Sequence, residues 1–172
     1  KGEWLLHKAT VTGKTITELV PRFVVTALNK LPIAKPMRWG SERVQFIRPV
    51  HTLTLMYGNT VIAGEALGVH SADKIQGHRF HYQGLVTLNH ADDYQADLLK
   101  AYVDVDYQSR QEKIVKQINE AAANISAVAL IDEDLLEEVT SLVEWPVTLV
   151  GTFDEDFLNV PAEPLIYSMK DH

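Results

Sequence analysis

Arginines set directly among rings carry the chemistry of this chain. One stretch runs Met37-Arg38-Trp39-Gly40 and continues to Phe46-Ile47-Arg48-Pro49, and a second is Gly77-His78-Arg79-Phe80. A core excludes an unpaired guanidinium, because burying a lone charge is very costly. A plain solvated surface has little use for Trp and Phe beside each arginine. A planar cation held rigid next to a ring suits an anion or an aromatic face. Between residues 35 and 79 the cations Lys35, Arg38, Arg43, Arg48, Lys74 and Arg79 meet only Glu42, Glu65 and Asp73. Guanidinium forks grip phosphate bidentately, and Trp39, Phe46 and Phe80 offer faces for unpaired bases. The competing reading is structural: Arg38, Arg48 and Arg79 bond backbone carbonyls, or acids such as Glu138 and Glu144, and clamp irregular loops. Residue type alone leaves both readings open.

Other chemistry finds little footing. Four histidines lie between His70 and His90, and His78-Arg79-Phe80-His81 has the spacing of a ligand pair. A zinc site would want further ligands, and none has the spacing, so no metal is expected. His78 suits a hydrogen-bonding strut beside Arg79 better than a general base, since the chain has no nucleophile motif of the G-x-S-x-G type. The run Asp132-Glu133-Asp134 with Glu137 and Glu138 lacks the glycine of a calcium loop and reads as a helix cap with a solvated face. Neither a phosphate-cradling G-x-x-x-x-G-K-[ST] loop nor a dinucleotide G-x-G-x-x-G is present. No catalytic residue and no cofactor site is expected.

Composition bounds the rest. The 172 residues suit one domain, and 46% apolar content is ample for a core. The absence of cysteine removes disulfides and thiolate chemistry and fits a reducing compartment. No apolar run approaches the roughly 20 residues of a membrane span, and no signal peptide is visible. Charge is uneven. Residues 1–90 hold 11 Lys/Arg against 5 Asp/Glu, a balance of +6, whereas residues 91–172 hold 5 against 18, a balance of −13. A polyanion would approach the first part and be repelled by the second.

The elements that must position these residues follow from periodicity. Residues 3–12 alternate as a strand. Ile16, Leu19, Val20, Phe23, Val24, Ala27, Leu28 and Leu31 form one helical stripe expected in the core. Thr15 and Glu18 make a capping box, and Pro21 either kinks this helix or starts a new one. Pro32 and Pro36 impose an extended connector. Residues 44–57 read as a strand broken at Pro49, Gly58-Asn59 as a hairpin turn, Thr60–Leu67 as the returning strand with a bulge at Gly64, and 68–84 as an ordered loop. Asn89 or Asp92 caps a short helix to about Tyr102. Asp104 or Asp106 opens a longer one with Ile114, Val115, Ile118, Ala121, Ala122 and Ile125 inward. Asp132 caps another that turns Leu135, Leu136, Val139, Leu142 and Val143 inward and stops at Pro146. Residues 146–153 read as a strand, and a last helix begins near Pro161. Strands and helices mix without a βαβ rhythm, which predicts an α+β fold with a mixed or antiparallel sheet and several packed helices. The expectation is a single domain over 1–172, divisible into a strand-rich basic part, 1–90, and a helix-rich acidic part, 91–172.

The run from Lys35 to Pro49, the Gly77–Phe80 motif and Glu138-Val-Thr-Ser-Leu-Val-Glu-Trp-Pro146 together resemble the beta subunit of bacterial heterotetrameric glycyl-tRNA synthetase. The likeness runs from Gly2-Glu3-Trp4-Leu5-Leu6 to Val160-Pro161-Ala162-Glu163 and Met169-Lys170; Gln76 and His81, where other members vary, leave the role of the intervening loop open. It implies a fragment from the N-terminal half of a longer cytoplasmic beta chain. It further implies a glycine–tRNA ligase whose alpha subunit uses ATP with Mg, and tRNA(Gly), the alpha subunit and the remaining beta-chain domains as partners. The tRNA-contacting residues would be Lys35, Arg38, Trp39, Arg43, Arg48, Lys74, His78, Arg79 and Phe80. A fold-level analogy to the editing-type module of the phenylalanyl enzyme's beta subunit leaves a hydrolytic site as a weaker alternative. Glycine argues against it, because a pocket for the smallest amino acid rejects competitors by clash. A pure interaction module that never touches RNA is the other alternative.

Overall fold

A computed structural model of the chain describes residues 4–41 and 43–170. Of the residues named so far, Gly2, Glu3 and Glu42 lie outside the described residues. The fold is α+β, and the chain divides into two compact units, Lys1–Gln76 with Thr87–Asp92 and Gly77–Val86 with Asp93–His172.

The first unit opens irregularly. Residues 4–15 form no strand, and Trp4, Leu5 and Leu6 are each more than 90% exposed. The alternation that suggested a strand finds no neighbouring strand among the described residues to take up its backbone groups. Helix α1, Ile16–Leu28, begins where its cap predicts: the Glu18 carboxylate accepts the Thr15 N–H at 3.1 Å. It runs unbroken through Pro21, so no second helix starts there. The Pro21 ring fills space beside Gly64; a Cβ at Gly64 would stand 3.1 Å from Pro21 Cβ and 2.9 Å from Leu55 Cδ1. Gly64 therefore marks a close approach of backbone to helix and not a bulge. The stripe does not become core. No α1 side chain is buried, and Phe23 remains 61% exposed. What faces α1 is chiefly the short strand β5, too narrow to cover an apolar stripe this wide.

Strands are two or three residues long. Strand β1, Met37–Arg38, pairs antiparallel with β2, Gln45–Phe46; β3, Met56–Tyr57, with β4, Thr60–Val61; and β5, Glu65–Ala66, with β6, Val69–His70. Strands β7, Lys74–Gln76, and β8, Leu85–Thr87, follow. The Gly58-Asn59 turn lies where predicted. The long returning strand does not exist. It divides at Gly64 into β4 and a second hairpin whose turn is Leu67-Gly68, with φ of 55° and 77°. Leucine in the left-handed region is unfavourable by about 1–2 kcal/mol, which is why this turn is hard to see in the sequence. Leu55, Ile62, Ala66 and Leu88 form the small core of this unit.

Among the described residues, four α-helices build the second unit. Helix α2, Tyr94–Lys100, takes Asp93 as its N-cap position and not Asn89 or Asp92. Helix α3, Tyr107–Asn124, is capped by Asp106, whose Oδ1 accepts the Ser109 N–H at 2.7 Å. Helix α4, Glu133–Leu142, is capped by Asp132, whose Oδ1 accepts the Leu135 N–H at 3.1 Å. Helix α5, Ala162–Lys170, starts beside Pro161 as expected. Helices α2 and α3 both end in a Schellman arrangement: Val103 N–H reaches Leu98 O at 2.9 Å, and Ala127 N–H reaches Ala122 O at 2.9 Å. The left-handed position, ordinarily glycine, holds Tyr102 (φ 59°) in one and Ser126 (φ 56°) in the other. Leu98, Ala101, Ile114 and Thr140 are buried.

Three expectations fail here. Ile125, expected inward, caps the end of α3 and is 61% exposed. Leu142 is 61% exposed, while Thr140 takes the inward place at 0% exposure, donating Oγ1–H to Leu136 O at 2.6 Å. Residues 146–153 form no strand, and Leu149 is 87% exposed. A side chain meets their backbone instead: the Gln117 amide donates to Pro146 O at 3.2 Å and accepts from Thr148 N–H at 2.8 Å. Between α4 and α5 lies an apolar groove of about 1190 Å³, lined by Leu130, Leu135, Val139, Phe153, Leu165 and Met169 among others. Among the described residues, no helix is long and apolar enough to cross a membrane.

Candidate nucleic-acid interface

Of the nine residues proposed to touch RNA, six belong to the first unit and three to the second. In the first, Arg38 and Arg43 sit on the β1–β2 hairpin and Arg48 just beyond it. The register sets Arg38 directly opposite Gln45, and Met37 opposite Phe46. Side chains alternate along a strand, so Arg38 and Gln45 share one face and Met37 and Phe46 the other. With its amide oxygen toward the guanidinium, Gln45 accepts from Arg38 Nε at 2.7 Å and Nη2 at 3.2 Å. A neutral amide fixes the fork without cancelling its charge. Gly40, at φ 59°, turns the loop after Trp39, which is half-buried. Lys35, Arg38, Arg43, Arg48 and Lys74 are all exposed.

The clamping alternative names Glu138 and Glu144 as partners for Arg38, Arg48 and Arg79. Among the described residues, no arginine of the chain forms an ion pair; the pairs present involve Lys100, Lys116, His70 and His90. Arg48 and Arg79 are exposed.

One arginine does clamp, and sequence reasoning passed over it. Arg110 on α3 donates Nη1–H to Asp104 O at 2.6 Å and Nε–H to Thr140 O at 3.2 Å, with the Tyr107 ring 5.8 Å away. Lys113 and Gln117 follow on the same helical face. Lys113 Nζ stands 3.5 Å over the Trp145 ring, and Gln117 bridges Pro146 and Thr148. Asp104 completes the clasp. Its N–H donates to Glu144 O at 3.0 Å, and its buried carboxylate accepts from Ser109 Oγ at 3.1 Å and from Asp106 N–H at 3.3 Å. The stretch Glu138–Pro146 is thus gripped through its backbone by α3 and its cap. The polar spacing 110, 113, 117 was the available signal, but on an amphipathic helix it reads as a solvated face.

In the second unit the Gly77–Tyr82 loop is tightly specified. His78 Nδ1 accepts two backbone N–H groups, from Phe80 at 3.2 Å and His81 at 3.3 Å. His78 N–H donates to Ala101 O at 2.9 Å, and Tyr82 N–H to His78 O at 3.0 Å. Gly77 is buried, and a Cβ there would lie 2.7 Å from Tyr82 Cδ1. His78 is therefore the strut that the sequence suggested. With Nδ1 committed as an acceptor it stacks on His81 at a centroid distance of 4.4 Å. On this fixed loop Arg79 is exposed and Phe80 is 84% exposed.

Comparison with known proteins adds the context. A family model described as glycyl-tRNA synthetase beta subunit matches residues 1–172. A glycine–tRNA ligase beta subunit of Colwellia psychrerythraea is 74% identical over 172 residues, all of this chain and 25% of that relative. Those of Pseudoalteromonas translucida and Psychromonas ingrahamii are 56% and 55% identical over 171 and 173 residues, again 25% of each relative. The chain spans about a quarter of the length of the curated relatives it matches.

Proposed function

The chain belongs to the glycyl-tRNA synthetase beta subunit family, and on that premise we propose that it is a tRNA-binding and scaffolding domain of the beta subunit. It has no ligase chemistry of its own. It supports the ATP-dependent attachment of glycine to tRNA(Gly), carried out in the cytoplasm with the alpha subunit, which would supply the ATP and Mg chemistry. One observation carries the tRNA reading: Arg38, Arg43 and Arg48 are exposed on and beside one hairpin, and among the described residues none is ion-paired. Cations left free in this way are available to phosphate, and displaced counterions then favour association. The scaffolding half rests on the apolar groove between α4 and α5, which suits packing against the remaining beta-chain domains.

The test uses the complete beta chain assembled with its alpha partner. Replacing Arg38, Arg43 and Arg48 together by Ala should weaken tRNA(Gly) binding. It should also flatten the plot of log affinity against log salt by about 0.7–0.9 for each phosphate that is no longer neutralised. Unchanged affinity and slope would leave the chain a pure interaction module.

A further inference from the structure

The tRNA reading does not say which kind of nucleotide is bound. We propose that the second unit holds a site for unpaired nucleotides, built from a continuous series of rings with a cation at each end. This deepens the tRNA reading and rests on it.

The series runs Phe80, His78, His81, Tyr102, Trp145. Successive centroids lie 6.1, 4.4, 5.5 and 5.3 Å apart. Arg79 stands beside Phe80 in the chain, and Lys113 Nζ lies 3.5 Å over the Trp145 ring at the other end. Rings interleaved with cations are what a single strand needs: each unstacked base covers a π face while the backbone meets positive charge. A duplex buries its base faces and would use only the cations.

Three features separate this series from an ordinary aromatic core. First, it is open: Phe80 is 84% and Tyr102 41% exposed, and His81 is exposed as well. Second, it is fixed before any ligand arrives. The bonds from two loop N–H groups to His78 Nδ1, and the close fit of Gly77 on Tyr82, hold the loop without help from the Phe80 ring. Third, Tyr102 keeps its ring at a left-handed helix terminus (φ 59°) where glycine would relax the backbone. Its ring packs against His81 and Trp145 and still remains 41% exposed, so the strained position holds a ring that a ligand can reach. Local charge agrees: residues 77–86, the loop segment of this unit, contain Arg79, His78 and His81 and no Asp or Glu. Glu144, next to Trp145, is the exposed acid nearest in sequence to the series, and its carbonyl is held by Asp104 N–H.

The experiment uses the full-length beta chain assembled with its alpha partner, with fluorescence anisotropy against a 5′-labelled oligouridylate and against a blunt RNA duplex of the same length. Phe80→Ala should weaken oligouridylate binding by about 5- to 150-fold, the range for one base–aromatic stack, and leave duplex binding unchanged. Phe80→Trp should restore it. Tyr102→Gly should weaken oligouridylate binding while holding or raising the melting temperature, a combination that a purely structural tyrosine cannot give. Oligouridylate affinity unchanged in both Phe80→Ala and Tyr102→Gly would overturn the inference. The tRNA reading would still stand if the triple arginine variant weakens tRNA(Gly) binding. Failure of the unaltered protein to bind either RNA or tRNA(Gly) would overturn both. Loss of assembly with the alpha subunit in Phe80→Ala would make Phe80 a protein anchor and overturn the nucleotide site.

Discussion

Replacing Arg110 by Ala isolates the clasp that holds the second unit together. Arg110 supplies two charge-assisted hydrogen bonds, to Asp104 O at 2.6 Å and Thr140 O at 3.2 Å. Such bonds contribute about 1.5–3 kcal/mol each. The guanidinium is half-buried, so water can reach the vacated carbonyls, which favours the low end and a total of about 3 kcal/mol. At about 1.4 kcal/mol per tenfold, protection of the α3 and α4 amides should fall by roughly a hundredfold where they exchange through opening of this unit. Hydrogen exchange read by mass spectrometry on the complete protein resolves these segments. Arg110→Lys should lose most of the same protection, because one ammonium cannot span two carbonyls as the fork does. Arg48→Ala, on an exposed side chain, should change it less than about threefold by the same reasoning. A drop of less than about threefold in Arg110→Ala, or an equal drop in Arg48→Ala, would refute the assignment of structural and ligand-facing arginines.

Two further outcomes follow from the packing and caps already described. Gly64→Ala drives a methyl group against Leu55 and the Pro21 ring; it should cost about 1–3 kcal/mol and show as faster exchange in α1, and an unaltered α1 would mean that the helix is not seated there. Asp106→Ala removes the cap on Ser109 N–H and should cost about 0.5–2 kcal/mol, confined to the first turn of α3, with Asp106→Asn close to neutral; a loss spread over the whole unit would contradict a local cap.

The starts of α1, α3 and α4 were legible because each cap is a short-range event. Thr15, Asp106 and Asp132 each act on a residue three positions on, a distance that the sequence displays directly. Strands were not. The alternation at residues 4–12 and the apolar run at 146–153 satisfy the pattern of a strand, but a strand exists only with a partner, and pairing is not written in the segment itself. Burial along α1 failed for the same reason, since Phe23 needs an opposing surface that no local pattern supplies. The candidate site stood out by residue type, and residue type did not reveal the roles. Ring-flanked arginines drew notice, yet the arginine that clamps is Arg110, in a helix that reads as ordinary. Its partners are carbonyl groups of Asp104 and Thr140, and carbonyls belong to every residue alike. Tyr102 escaped notice too, because its membership of the ring series depends on a Schellman terminus that normally announces itself with glycine.

The most direct measurement is photocrosslinking of tRNA(Gly) to the intact assembled protein, with the adducts mapped by peptide sequencing. Adducts within residues 35–48 and 74–81, and at Tyr102 and Trp145, are predicted, with none elsewhere in residues 126–169, where ten Asp and Glu stand without a single Lys, Arg or His. Crosslinks confined to that acidic stretch, or absent from residues 35–48, would contradict the account.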